Sequence, residues 1–451
     1  MTSGVMRAKG HIGSKKKGGD AKDRVELYDM GQVATIILGG GVGTRLFPLN
    51  QARSKPATPF GGRYSLIDVP LSNSLNSGVD KIFVVTQYLS ASLHKHVLQT
   101  YRLDRFSSGF IELLGVEQKP SGNDWFQGTA DAVRQNLPYL QECSADYFLI
   151  LSGDQLYNMN FHEMFSFAIK KDADLVIATL PVNRSSAQRM GVMKSNSEGQ
   201  IVDFYEKPQT DELFDRYTLS PDELAAVGGK DPKKPFLASM GIYLFKRKTL
   251  FDLLQQDRRD DFGKHLIPTK VTDGGAYAYL HQGYWDDIGT IRSFYDANIA
   301  LTKTSPEFDC YDPKHRIYSH QENLPSPKIH NTQMNNVIIA DGSIIEASEI
   351  SDSILGARTV VQEGTIIRGS YLMGNEFYQA PPQHPDASRP SIGRNCLIEG
   401  AIIDKNVRIG NHVNLVNKKK LQVFDGDNRV YIRDGIIVVA KGAVIPDGYS
   451  L

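Results

Sequence analysis

Short apolar runs alternate with stretches of helical period through the first two-thirds of the chain. Val33-Ala-Thr-Ile-Ile-Leu38 is continuous, rich in β-branched residues and ends in glycines, the pattern of a buried parallel strand. Similar runs recur at 82–85, 147–151 and 175–180, with a further strand at 201–205. Between them, 89–101, 129–140 and 164–170 have helix periodicity. Strands alternating with helices predict a parallel sheet wound on both faces. The pattern lasts to about Thr302, where 298–301 closes a last helix.

Beyond it, residues 304–328 carry prolines and polar residues without periodicity and read as a linker. From there on the apolar positions repeat every six residues: Ile338, Ile344, Ile350; then, phase-shifted, Leu355, Val361, Ile367, Met373. The repeat resumes at Ile392 and Ile398, at Ile403, Ile409 and Leu415, and at Ile432, Val438 and Val444. One apolar residue in six suits a face of a triangular parallel β-helix over 329–451. A β-sandwich with evenly spaced strands is the alternative, and recurrence across so many units argues against it. The proline-rich insert at 380–390 must then be a loop between coils. At the other end, residues 1–30 are rich in Lys and Gly and lack the apolar centre of a secretory signal, so a flexible basic tail is expected. A short targeting or nucleic-acid-binding tail is the other reading.

Composition changes little of this picture. With 451 residues, two or three domains are expected, here a domain over 31–303, the linker and the β-helix. Lys+Arg and Asp+Glu both number 51, so no global basic footprint points to nucleic acid. Three dispersed cysteines form neither a disulfide framework nor a zinc set and suit a reducing compartment. No stretch approaches a membrane span.

Chemistry concentrates in a few strings. The first strand runs into GGGVGTRL (39–46), where glycines allow backbone N–H groups to approach a phosphate. It is neither a P-loop nor a dinucleotide fingerprint. RSKP (53–56) brings two more cations to the same end of the sheet. Asp154 stands at the carboxyl end of an apolar strand, where ligands gather in open α/β sheets. A helix cap would be the bland role for it, and surface ion pairs the bland role for Arg45 and Lys55.

GGGVGTRLFPL (39–49) followed by Lys55-Pro56 is similar to the signature of sugar-phosphate nucleotidyltransferases. DWFQGTADAV (124–133), GDQLY (153–157), EKP (206–208), ASMGIY (238–243) and YWDDIGT (284–290) follow in order. Together they resemble the glucose-1-phosphate adenylyltransferases, of the plant and cyanobacterial catalytic-subunit type, over residues 33–451. The resemblance implies a Rossmann-like domain with a mixed, mostly parallel sheet, followed by a left-handed β-helix used for regulation and oligomerisation. It implies that ATP and glucose 1-phosphate become ADP-glucose and pyrophosphate, feeding glycogen or starch synthesis. Two anions must meet there, so cations and metal are needed more than a strong base.

Residue by residue, the resemblance makes Arg45, Lys55 and Asp154 catalytic, with Mg2+ held by Asp154 and Asp287; Asp286 is a neighbour. It places Leu38, Gly39, Gly40, Gly41, Gly43, Thr44, Gln118, Gln127, Gly128 and Thr129 at the nucleotide. Gly191, Glu206, Lys207, Ser239, Gly241 and Asp287 would form the sugar-phosphate pocket, although Glu-Lys before Pro is usually a solvated turn. Arg53, His96, Lys405 and Lys441 match basic residues that bind 3-phosphoglycerate or phosphate. Here the linker carries His320-Gln-Glu322 where plant members have an Arg, and Ser65 replaces another Arg, which should weaken anion binding. The resemblance also implies a homotetramer, or a heterotetramer with a related subunit. A bacterial cytoplasm is the expected location, or a plastid in a eukaryote. Other readings are transfer from UTP, dTTP or GTP, a non-catalytic regulatory subunit, and an acyltransferase β-helix using His330 or His412. Intact Arg45, Lys55 and Asp154 speak against the regulatory subunit, and neither histidine has an identifiable partner.

Overall fold

The computed structural model describes residues 28–41, 43–104, 106, 108–116, 125–378 and 391–451. Most of the expected tail (all but 28–30), Gln118 and the whole of the 380–390 insert lie outside them. Tyr28 and Met30 already pack on the first domain's core, and Asp29 caps the turn Met30–Gln32, so the folded part begins slightly earlier than the composition suggests.

The first domain is built from β1 (Val33–Leu38), β2 (Pro59–Phe60), β3 (Tyr64–Ser65), β4 (Lys81–Val85), β5 (Phe110–Leu114), β6 (Tyr147–Ser152) and β7 (Gln155–Tyr157). It continues with β8 (Leu175–Val182), β9 (Gly191–Ser195), β10 (Ile201–Glu206), β11 (Phe236–Lys246), β12 (Ala276–Leu280) and β13 (Trp285–Asp287). The main sheet runs β10-β9-β11-β6-β1-β4-β5, with β8 beside β11 and β12 beside β8. Its half from β6 to β5 is parallel, as the apolar runs predict, and β1 is buried along nearly its whole length. The long strand β11 pairs antiparallel with β6, β8 and β9 and makes the sheet mixed. Separate apolar clusters cover the two faces. The helix expected over 129–140 is two, Thr129–Gln135 and Leu137–Glu142, interrupted at Asn136 because Pro138 lacks the N–H that would continue the first.

Residues 304–327 carry no strand or helix, and Lys328 already opens the first short strand of the β-helix, but the segment is not a free linker. Phe308 and Ile317 are buried, and the Tyr318 carbonyl accepts from the Tyr101 hydroxyl at 2.8 Å. The second domain stacks short parallel strands in coils. Ile345 pairs with Val361; Ile350, Ile367, Ile398 and Leu415 form a second register line; Ile354, Tyr371, Ile402 and Val438 a third. Ile345, Val361 and the second line lie in the coil interior, as the six-residue period expects, whereas the third line, which includes Val438, packs in the cluster shared with the first domain. Other departures have a cause as well. Ile344 is exposed while Ile345 is buried, a phase slip at the first coils. Ile432 lies in an antiparallel hairpin, Val423–Gly426 with Val430–Arg433, which also pairs with Ile436–Val439. Its six-residue spacing from Val438 runs across the hairpin turn: Ile432 stands opposite Ile437, and it lies in the coil interior while Val438 packs on the first domain.

The domains share one apolar cluster, in which Ile291, Phe294 and Leu301 of the last helix meet Ile354, Tyr371 and Ile402. Polar contacts cross beside it: the Tyr295 hydroxyl donates to the Gly369 carbonyl at 2.5 Å, and a buried ion pair joins the same two domains. Arg53 is bidentate to Asp404, at 2.7 and 3.0 Å, with side-chain exposures of 4 % and 2 %. Removing one member of such a pair strands the other charge in the interior. Arg53→Ala should lower stability by about 3–5 kcal/mol in urea unfolding, while Arg53→Met with Asp404→Leu should recover most of that loss.

Candidate active site

Leu38 and Ser152 are register partners at the carboxyl ends of parallel β1 and β6. The segments that follow therefore leave the sheet side by side. Gly153 N–H donates to the Leu38 carbonyl at 3.1 Å, and a Cβ at Gly153 would meet that oxygen at 3.2 Å. A side chain at position 153 would make this approach tight and force its neighbours to give by a few tenths of an ångström. The glycine turn is anchored at Gly39, which donates to Val85, and at Gly43, whose left-handed φ of 60° turns the chain into Thr44–Leu46. A side chain at Gly41 would meet nothing within 4 Å, so this part of the turn faces open space.

Lys55 comes from the turn Lys55–Ala57 and lies behind Gly43, packed and almost fully buried. Its ammonium is ion-paired with Asp154 and lies 3.6 Å from Asp287. Asp287 belongs to β13, which pairs with β7 so that Asp287 stands opposite Gln155. Three distant parts of the chain thus meet at one charge cluster. Burial pushes the Asp154 carboxyl up, but Lys55 and the Ser152 hydroxyl that donates to it prevail, and it lies below its usual range. Asp287 goes the other way: burial and the facing Asp154 raise it against Lys55, Arg45 and Arg189. Neighbouring Asp286 is pushed to about 6 by burial and by Asp287, while accepting from the Tyr284 hydroxyl. Two carboxylates facing each other in this way favour a cation between or beside them. Among the described residues no cluster of three His, Cys, Asp or Glu side chains converges. Mg2+ that keeps waters and takes phosphate oxygens needs no third carboxylate, so Asp154 and Asp287 fit it.

On one side of this cluster, Gly40 packs on Gln87, whose amide reaches the Phe126 carbonyl at 3.4 Å. That contact brings Gln127, Gly128 and Thr129 beside the glycine turn. Gln127 N–H donates to Asp131, and its amide to the Trp125 carbonyl. Gly128 and Thr129 lie against 260–262, where a Cβ at Gly128 would collide with the Asp260 carbonyl at 2.4 Å and Thr129 accepts from Phe262 N–H.

Another group surrounds Glu206, at the end of β10. A Cβ at Gly191 would lie 2.7 Å from its Oε2, and one at Gly263 equally close, so its carboxylate sits in a slot between two glycines. Lys207 pairs with Glu206 at 3.0 Å, has a φ of 55° and donates its N–H to Met190. Ser239 and Gly241 form a bulge in β11, with Gly241 N–H donating to Ser239 Oγ at 3.1 Å.

The four residues expected to bind an effector do not form one set of contacts. Arg53 is committed to Asp404, and His96 to buried Asp68 at 2.6 Å. Lys441 pairs with Glu376 at 3.1 Å. Lys405 is lowered by burial, then raised by Glu376 and Glu322 and lowered by Arg53 and Lys441, which puts it at the same junction. Glu322 pairs with Arg358. Sequence reasoning passed over Ser152, Gln155, Arg189, Glu376 and Asp404. Ser152 flanks the quoted GDQLY string and Gln155 lies within it, but the others carry no local signal because their partners are far away in the chain.

The nucleotidyl transferase family matches residues 34–304, and the GLGC left-handed parallel beta-helix domain matches residues 322–449. The chain belongs to the nucleotidyl transferase family. It joins that transferase domain to the β-helix, the two-domain architecture of ADP-glucose pyrophosphorylases.

The close packing around Gly191 can be tested against the open turn. Gly191→Ala places a methyl 2.4 Å from Phe204 Cζ and should cost about 1–3 kcal/mol in denaturant unfolding. Gly41→Ala, with nothing nearby, should stay within about 0.5 kcal/mol.

Proposed function

We propose that this chain is a glucose-1-phosphate adenylyltransferase, converting ATP and glucose 1-phosphate to ADP-glucose and pyrophosphate. The observation that carries the reading is Lys55, held between Asp154 and Asp287 behind the glycine turn, with the Glu206–Lys207 slot on the same domain. ATP would lie along Leu38, Gly39, Gly40, Gly41, Gly43 and Thr44, its base against 127–129. Glucose 1-phosphate would use Glu206 for hydroxyls and Lys207 for phosphate, beside Gly191, Ser239 and Gly241. A phosphate oxygen of the sugar attacks the α-phosphorus; the bond to the bridging oxygen breaks, and pyrophosphate leaves with that electron pair. No proton transfer is required, so positioning and charge neutralisation dominate. Arg45, near Gly289 and Asp287, and Lys55 would offset the charge that builds on the leaving group. Mg2+ held by Asp154 and Asp287 would supply charge stabilisation to phosphate oxygens.

The effector reading is kept as part of this proposal in altered form. An anion such as 3-phosphoglycerate or phosphate entering the junction near Lys405 and Lys441 must displace Glu376 from Lys441. A tetramer, and a role in glycogen or starch synthesis, belong to the same proposal. No helix among the described residues is long and apolar enough to cross a membrane.

The test is pyrophosphate release with glucose 1-phosphate and each of ATP, UTP, dTTP and GTP, comparing wild type with Asp154→Asn. ATP should be preferred, and the substitution should reduce kcat by about 10²–10³ or more. Equal turnover by the two proteins would overturn the assignment.

A further inference from the structure

Gln155 is 8 % exposed, follows Asp154 and stands opposite Asp287 in the β7–β13 ladder. Its side chain nevertheless reaches away from both carboxylates. Strand β11 pairs Ser239 with Thr179 and resumes at Tyr243 with Ile177, so the residues between form a bulge with Gly241 at φ 72°. A bulge forfeits ladder hydrogen bonds, and the orphaned groups need other partners. Here two side chains supply them. Ser239 Oγ accepts from Gly241 N–H at 3.1 Å, and Gln155 Nε2 donates to the Met240 carbonyl at 2.8 Å. The other end of the same amide, Oε1, accepts from Trp285 Nε1 at 3.3 Å. Trp285 is two residues before Asp287 on β13. A Cβ at Gly241 would come to 3.4 Å from Gln155 Nε2, so the bulge lies directly on this amide.

The amide performs both tasks, donating to a carbonyl and accepting from an indole at once, which neither a carboxylate nor an apolar side chain can do. We infer that Gln155 is a positioning residue that locks the Ser239–Gly241 bulge to the strand bearing Asp287, and thereby sets the sugar-phosphate pocket relative to the charge cluster. The inference rests on the proposed reading, in which that bulge lines the sugar pocket. It predicts an effect on the sugar phosphate rather than on ATP, because neither bond of Gln155 touches the glycine turn.

Gln155→Glu keeps an acceptor for Trp285 but sets a carboxylate against the Met240 carbonyl, whereas Gln155→Leu removes both bonds. Initial rates over both substrates should show a KM for glucose 1-phosphate raised about tenfold in Gln155→Glu, with the KM for ATP within twofold. Gln155→Leu should show the same KM split together with a lower kcat, since Trp285 and its strand are also released. Equal changes in both KM values, or none, would overturn the inference. A second measurement needs no variant at Gln155. The chain has two tryptophans, so Trp125→Phe leaves Trp285 as the sole emitter. Titration of that protein with glucose 1-phosphate alone should shift its emission, and a silent titration counts against the coupling. If emission shifts but the wild type forms no ADP-glucose, the proposed activity fails while the positioning role stands. If ADP-glucose forms and the KM split is absent, the positioning role alone fails.

Discussion

One buried ammonium organises this molecule. Lys55 lies between two carboxylates contributed by residues about 100 and 230 positions further along the chain, Asp154 and Asp287. Without a cation, the two acids would repel in a partly desolvated site, and one would protonate. The ion pairs therefore hold the loop after β1, the end of β6 and the β7–β13 ribbon in one place. They are also the reason the site is ready for polyanions. On the proposed reading, this cluster of two negative charges and nearby cations (Arg45 and Arg189 besides Lys55) would take a divalent ion and a phosphate chain. Such preorganisation matters more to phosphoryl transfer than any single acid or base.

The second domain is not an appendage to that arrangement. Phe47, two residues after Arg45, meets Tyr431 edge-on at 5.2 Å, and the Arg433 guanidinium lies 5.2 Å from the centre of the Phe47 ring. Both partners come from the antiparallel hairpin that interrupts the coils. Arg53, two residues before Lys55, is held by Asp404. The segment carrying Arg45 and Lys55 is thus gripped at two points by the β-helix, once through aromatic faces and once through a buried ion pair. Any ligand or substitution that alters the junction acts on a segment physically continuous with the charge cluster.

The legible parts of the fold were those whose signal is local. The strand Val33–Leu38 reads as buried because every second residue and its neighbour are apolar, and five of its six positions are buried. Coil positions such as Ile350, Ile367 and Ile398 read correctly because each coil repeats the same demand for one inward side chain. The hairpin at 423–439 escaped notice because Ile432 and Val438, on two strands joined by a turn, happen to fall six apart. Among the site residues, Arg45, Lys55, Asp154 and Asp287 were legible through strings of several residues each. The effector set was less so: matching basic positions said nothing about which acids would lie beside them, and Asp404, Asp68 and Glu376 take three of the four. Pairing across 30 to 350 residues is decided by packing, which no local window contains.

That contrast bears on how the junction works. Arg53 and Asp404 are both desolvated, so their bond is a fixed part of the interface, and an incoming anion would gain little by competing for it. Lys441 and Glu376 are more exposed, 32 % and 47 %, and an ion pair so placed is worth at most about 1 kcal/mol. Lys405 is the remaining cation, lowered by burial and drawn toward Glu376 and Glu322 without a buried carboxylate of its own as a committed partner. On the proposed reading, an anion arriving here would meet one strong tie, Arg53–Asp404, and one weak one, Lys441–Glu376. It would exchange the weak pair for itself while Arg53 and Asp404 keep the domains together. Control at this junction would therefore work by reweighting contacts at its rim, leaving intact the ion pair that anchors the segment leading to Lys55.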